Sequence, residues 1–264
     1  MTLRQRFKHW LYGTCPGFKG AFTYFGTRVY FPPGADMFLA VCQQGVFEKD
    51  SVRLLTSLAK PGTVFFDVGA NIGLMAIPVL RDCASCLVVS FEPSPNSLPF
   101  LQRTARESGY DARWRVVAKA LAQSSGELDF AVGDARTTLY EGFRGGERLD
   151  DKHIIKVTVS TLDEEWKQLG TPSVSVIKID VEGAELDVLE GGRECLEKSR
   201  CAILIEWNAD NLKAYGRSVD SILPIMDQLK YRMFAVPSYT EIHDATELGL
   251  QVMCTENFVL LPRN

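Results

Sequence analysis

VFFDVGANIG, residues 64–73, is the stretch whose reading decides the fold of this chain. It follows the turn signal Pro61-Gly62 and opens as a continuous apolar run ending in an acid, Asp67. A Gly-Ala-Asn-Ile-Gly turn then leads straight into a helical pattern over residues 73–80. A strand without polar alternation is buried on both faces, as in a parallel sheet lying between helices. Strand, glycine turn and helix in this order form the first unit of a nucleotide-binding sheet. Ligands of such sheets sit beyond the carboxyl ends of the strands.

The same rhythm continues outward from this unit. Further apolar runs at 87–91, 114–118, 174–180, 202–206, 231–236 and 258–261 read as strands, and 94–108, 184–190 and 219–229 read as helices. Alternating strands and helices predict an α/β fold with a mostly parallel sheet covered on both faces. Residues 127–132 and 155–160 alternate apolar and polar side chains, as half-exposed strands do. Between them, 133–153 is rich in Gly, Asp and Arg, and a loop of that length reads as a lid. Residues 237–251 read as an exposed loop. The domain division expected is a cap with a lead-in helix over 1–60 and one larger domain over 61–264.

Composition sets the outer limits. The 264 residues carry 29 Lys and Arg against 33 Asp and Glu, a net charge of −4, with 46% apolar residues. This is ordinary for a globular protein and excludes a disordered, collagen-like or disulfide-stapled chain. The acidity argues against wholesale DNA binding. Seven cysteines, an odd number, suggest reduced thiols and a cytoplasmic location. Cys83 and Cys86 form a lone C-x-x-C without a second ligand pair, and His9, His153 and His243 lie at no ligand spacing, so no metal site is expected. No apolar run reaches the roughly 18 residues of a membrane span, and no secretory signal core is present. Residues 1–35 hold five basic residues and no acid, interleaved with nine aromatic residues. They read as a cap packed on the larger domain, with contact to a membrane surface or an anionic partner as the alternative.

Two ligand chemistries compete at the glycine turn. A dinucleotide fold needs G-x-G-x-x-G, which from Gly69 would require glycine at Asn71 and a small residue at Leu74. Both fail. An acid followed by glycines at the second and sixth places fits an adenosyl-sulfonium donor instead, and Asp67, Gly69 and Gly73 satisfy it, with Asn71 at a third position. Such a donor has no phosphate. Its ammonium is met by Asp67, and glycine lets the backbone approach closely. Glu92 ends the neighbouring strand, 23 residues past Gly69, where an acid accepts hydrogen bonds from ribose hydroxyls. Ser94 follows as a helix N-cap at the cofactor's edge.

In VSVIKIDVEGAE, residues 174–185, strand periodicity puts Val174, Val176, Lys178 and Asp180 on one face. A lysine and an aspartate cannot sit unpaired in hydrocarbon, so both are expected at the open carboxyl end of the sheet. Glu182 follows in the turn, and Glu185 opens the next helix.

In this order the segments GVFEKD (45–50), VFFDVGANIG, VSFEPSPNS (89–97), VAKALAQSSGELDF (117–130), TLDE (161–164), IKIDVEGAELDVLEGG (177–192) and ILIEWN (203–208) resemble the FkbM-type methyltransferases. The resemblance spans residues 45–208. It implies a Rossmann-like class I methyltransferase fold with a seven-stranded, mostly parallel sheet. It also implies S-adenosylmethionine as methyl donor, S-adenosylhomocysteine as product, and a hydroxyl of a sugar or secondary metabolite as acceptor. By the same resemblance Glu48, Asp67, Gly69, Asn71, Gly73 and Glu92 line the cofactor, Ala120 or its neighbours border the adenine, and Asp180, Glu182 and Glu206 face the methyl-transfer zone. Where the family often has histidine two residues after the acid of ILIE, this chain has Asn208, so no histidine base is available there.

The expected catalytic groups are Asp180 and Glu182, with Glu206 in reserve and Lys178 holding or tuning Asp180. A divalent cation on these acids is chemically conceivable but not expected. His153 is a minor alternative base, and Trp207, Tyr215 and Tyr239 are candidate acceptor-pocket aromatics. Competing functions are a nicotinamide-dependent oxidoreductase on the same sheet, a non-catalytic scaffold that keeps the pocket, and methylation of a nucleic acid or protein.

Overall fold

A computed structural model of the chain describes residues 2–4, 6–7, 10, 20–32, 36–133 and 153–263. The proposed lid therefore lies outside the described residues, apart from its end positions. The described elements begin with strands β1 (Ala21–Tyr24) and β2 (Thr27–Tyr30) and helices α1 (Asp36–Gln44) and α2 (Lys49–Leu58). Then follow β3 (Val64–Val68), α3 (Ala76–Asp82), β4 (Leu87–Phe91), α4 (Leu98–Glu107), β5 (Trp114–Val117), β6 (Ala120–Leu121), β7 (Gly126–Val132) and β8 (His153–Ser160). The chain continues through α5 (Leu162–Gln168), β9 (Val174–Ile179), α6 (Glu185–Glu190), α7 (Arg193–Ser199), β10 (Ala202–Glu206) and α8 (Ala209–Ala214). It closes with α9 (Leu223–Leu229), β11 (Tyr231–Ala235), β12 (Glu241–Ile242), α10 (Ala245–Gln251) and β13 (Asn257–Pro262).

The main sheet has the order β12-β11-β13-β10-β9-β3-β4-β5. Pairing is parallel from β10 to β5, and antiparallel between β10 and β13, β13 and β11, and β11 and β12. The seven expected strands are all in this sheet, but it has eight, not seven. The extra strand, β12, comes from the segment read as an exposed loop, which also supplies α10. Asp244 caps that helix by accepting the Glu247 N–H, a local signal that outweighs the mixed polarity of the segment. From β3 the chain winds first to β4 and later to β9 on the opposite side. This makes the carboxyl end of β3 and β9 the switch point of the sheet, where a crevice must open. The alternating segments pair as the antiparallel β7–β8, joined by β6 in a separate small sheet.

Strand alternation sorts the core into two layers. Phe66, Val68, Phe91, Ile177 and Ile203 pack with side chains of α5, α6, α7 and α9. Phe65, Val88, Val176 and Leu204 face α1 to α4. Val174 leaves the expected face: the register slips between Val64 and Phe65, so Val174 joins the first layer while Val176 joins the second. This is a β-bulge around Ser175. Ser175 Oγ accepts the Lys60 N–H and the Thr63 hydroxyl. The β1–β2 hairpin buries Phe22, Tyr24 and Tyr30, with Phe31 just beyond it. The Tyr30 N–H donates to Thr104 Oγ1 of α4. Within residues 20–32, then, aromatic residues serve the core.

Helix α3 starts three residues later than the expected residue 73, because residues 71–75 form turns. Ser94 is not the N-cap of α4; that place falls to Ser97, and Ser94 Oγ accepts the Asn96 N–H in the preceding turn. The two motif glycines answer to packing. A Cβ at Gly69 (φ +77) would lie 1.7 Å from the Asp180 carbonyl oxygen, and one at Gly73 (φ +87) 2.6 Å from the Trp114 ring. Gly73→Ala is expected to lower stability by about 2–4 kcal/mol, from overpacking and left-handed strain, as measured by urea unfolding.

Glu185 ties the turn before α6 together, accepting the N–H groups of Val181 (3.1 Å) and Gly183 (3.0 Å). Burial pushes its carboxyl up to about 7. A carboxyl raised in the folded state stabilises below its unfolded value of about 4.5, and that contribution is lost as pH rises through about 7. Glu185→Gln keeps both accepted bonds and removes the titration. Its stability should fall less than that of the parent chain between about pH 5 and about pH 8, as read from thermal unfolding at both values.

Candidate active site

A cavity of about 400 Å³ opens at the switch point. The turn after β3 contributes Gly69, Ala70 and Asn71 to its wall, β4 ends on it with Phe91 and Glu92, and Lys119, Ala120 and Leu121 close one side. The end of β9 supplies Lys178, Asp180, Val181 and Glu182, and β10 supplies Glu206 and, just beyond it, Asn208. Asp210, Asn211, Glu256, Phe47 and Glu48 complete the rim.

Of the residues expected at the cofactor, Glu48, Gly69, Asn71, Glu92, Ala120 and Asp180 stand on this wall, and so do all four expected catalytic residues. Asp67, Gly73 and Ser94 do not line it. Asp67 lies one layer below, fully buried and in register with Lys178. Its Oδ2 accepts the Ser90 hydroxyl at 3.4 Å, and Ser90 Oγ in turn accepts Trp114 Nε1–H at 3.0 Å. Its Oδ1 is buried without a partner. Burial lifts this carboxyl to about 6, against the pull of Lys178. His153 is an exposed first residue of β8, Trp207 is fully buried and donates to the Val219 carbonyl, and Tyr239 is exposed. None of these, nor Tyr215, reaches the cavity wall.

Lys178 is the hub. Its Nζ lies 2.9 Å from Asp180 Oδ2 and donates to the Gly69 carbonyl at 3.0 Å. Burial pulls its pKa down, but Asp180, Asp67 and Glu48 more than offset this, so it stays a cation. Glu92 bridges two turns: Oε2 accepts the Asn71 N–H at 2.7 Å and Oε1 the Ser94 N–H at 2.8 Å. Glu48, Asn71 and Glu182 all carry positive φ (41°, 49° and 57°). Left-handed non-glycine residues cluster where a site over-determines the backbone.

Asp180, Glu182 and Glu206 place carboxylate oxygens within 4.8 Å of one another. Burial, then Asp180, Glu182 and Glu185, hold the Glu206 carboxyl well above its usual range, and its Oε2 is buried without a hydrogen-bond partner. Burial and Asp180 likewise raise Glu48. Three carboxylates suit a hard divalent cation by donor chemistry. The lysine bonded to Asp180 competes with one. Asp210, Asn211 and Glu256 carry no expectation from the sequence. Only α8 left a local trace, since Asn208 caps it by accepting the N–H groups of Asp210 and Asn211.

The chain matches the family model described as the methyltransferase FkbM domain over residues 67–233, more than half of its length. It is 29% identical over 161 residues to the 2-O-methyltransferase NoeI of Sinorhizobium fredii, covering 56% of this chain and 65% of that protein. It is 27% identical over 158 residues to the 31-O-demethyl-FK506 methyltransferase FkbM of Streptomyces tacrolimicus, covering 50% of this chain and 60% of that one. The match thus spans a little under two thirds of these relatives' length. A Staphylococcus aureus crystal structure provisionally named a caffeoyl-CoA O-methyltransferase shares the fold, with a TM-score of 0.51, 9% identity, and coverage of 86% of this chain and 89% of that one. By the family match, the chain belongs to the methyltransferase FkbM domain family.

Proposed function

We propose that the chain is an S-adenosylmethionine-dependent O-methyltransferase acting on a hydroxyl of a small sugar or secondary metabolite, in the cytoplasm. The observation that carries this reading, beside the family, is the charge of the cavity. Its described wall holds seven carboxyl groups against two lysines, and both lysines are already paired: Lys178 with Asp180, and Lys119 with Glu165 at 2.7 Å. A sulfonium cation is attracted to such a wall, and the pyrophosphate of a nicotinamide dinucleotide is repelled by it. The two relatives just described carry oxygen methylation in their names.

Bound S-adenosylmethionine would supply an activated methyl group, which would pass to the acceptor oxygen as the carbon–sulfur bond broke and the sulfur left as a neutral thioether. The acceptor proton passes to a carboxylate. In this reading Asp180 and Glu182 take on that task, and Lys178, bonded to Asp180, orients it. Glu206, whose carboxyl is raised by burial and by Asp180, stands beside them on the wall. Holding donor and acceptor in attack geometry supplies roughly 7–11 kcal/mol, and a positioned base adds about 10² to 10⁴ in rate. No helix among the described residues is long and apolar enough to cross a membrane. In this reading the described residues up to 60 belong to a cap on the catalytic unit, whose Phe47 and Glu48 line the cavity.

Calorimetric titration with S-adenosylhomocysteine should give saturable heat, and NAD none; a silent titration with the thioether rejects the reading. Asp180→Asn should lower methyl transfer to the fastest of a panel of methyl glycosides by about 10² to 10⁴. S-Adenosylhomocysteine should still bind this variant. Unchanged turnover would remove Asp180 from the chemistry.

A further inference from the structure

The turn that carries Glu182 is held from outside the sheet. Glu182 is a left-handed residue with a Cβ, a conformation that its surroundings must fix. Asn211 Nδ2 donates to Glu182 Oε2 at 2.9 Å. Arg217 secures the next peptide, donating from Nη1 to the Gly183 carbonyl at 3.3 Å while its Nη2 meets Asp187 Oδ1 at 2.6 Å. Asn211 is itself set in place. Asn208 Oδ1 accepts the N–H groups of Asp210 (2.8 Å) and Asn211 (3.1 Å), and the Asn208 Nδ2 donates to Glu256. Asn208, at the position where the family often has histidine, therefore works as a helix cap.

The chemistry of a carboxamide suits this place. Asp180, Glu206, Asp210 and Glu256 share the wall with Glu182, with Lys178 behind Asp180 and Glu185 behind the turn. A donor without charge orients the carboxylate and leaves its negative charge available to a proton. A further acid at 211 would repel it, and a base would neutralise it.

We propose that Asn211 is a positioning residue for methyl transfer: its carboxamide holds the Glu182 carboxylate toward the acceptor hydroxyl, and Asn208 sets Asn211 by capping α8. The proposal rests on the O-methyltransferase reading.

Asn211→Asp is nearly isosteric and replaces the donor by an acceptor. In crystal structures with S-adenosylhomocysteine, the Glu182 carboxylate of this variant should rotate away from its parental place; a carboxylate that stays put overturns the proposal. Methyl transfer to the fastest methyl glycoside should fall about 10²-fold in kcat, with the KM for the donor unchanged. In the Glu182→Gln background the same change should add less than about a twofold loss, because a carboxamide at 182 can donate to a carboxylate at 211. Fully additive losses would show that Asn211 acts elsewhere. Should Asn211→Asp not fold, Asn211→Ala enters the same structures and the same cycle; in the Glu182→Gln background it too should add less than about a twofold loss, because no carboxylate remains at 182 to be oriented. S-Adenosylhomocysteine binding by the parent chain separates the two failures: without it the enzyme reading falls, and with it only the role of Asn211 is at stake.

Discussion

The structure depends on one buried cation. Lys178 sits in the centre of the sheet, in register with Asp67 on one side and Leu204 on the other, and bonds to Asp180 and to the Gly69 carbonyl. Removing an ammonium group from water costs several kcal/mol, offset only when its partners are close and well aligned. Here they are the two strand ends that define the switch point. The ion pair therefore acts as a clasp across the crevice: it keeps the glycine turn beside the end of β9, where Asp180 N–H also donates to the Val68 carbonyl at 3.1 Å. Close approach follows, and with it the requirement for glycine at position 69.

Much of this was legible in the sequence. The apolar run 64–68 announced a central strand because both of its faces are covered, and Lys178 and Asp180 announced an opening because two charges in a buried strand need one. The strand count missed β12, which is only two residues long and stands at the edge, where pairing to β11 replaces any hydrophobic pattern. The face of Val174 was misjudged because a bulge shifts alternation by one residue and leaves no mark in composition. At the site, local motifs pointed to the turns after β3, β4 and β9. Glu256 carries no motif and arrives from a distant segment, so only tertiary packing brings it to the wall, whereas Asn211 follows the motif 203–208 on a helix whose one local trace is its Asn208 cap.

The motif residues divide into two kinds. Gly69, Asn71 and Glu92 are on the cavity surface, whereas Asp67 and Gly73 lie behind it and act through packing and charge. A motif reads as one recognition element in the sequence, yet in the fold it mixes contact with foundation. Asp67 balances the lysine from below and is reached by a relay from Trp114 through Ser90. Glu92 locks its own turn to the glycine turn before it meets any ligand.

The acidic lining has a kinetic corollary. In the proposed reaction the methyl donor arrives with a positive sulfur and departs as an uncharged thioether. A low-dielectric recess crowded with carboxylates senses that difference at close range, where dissolved salt screens little. In that reaction the spent donor would lack the charge that the lining attracts, a difference that favours fresh donor in the recess.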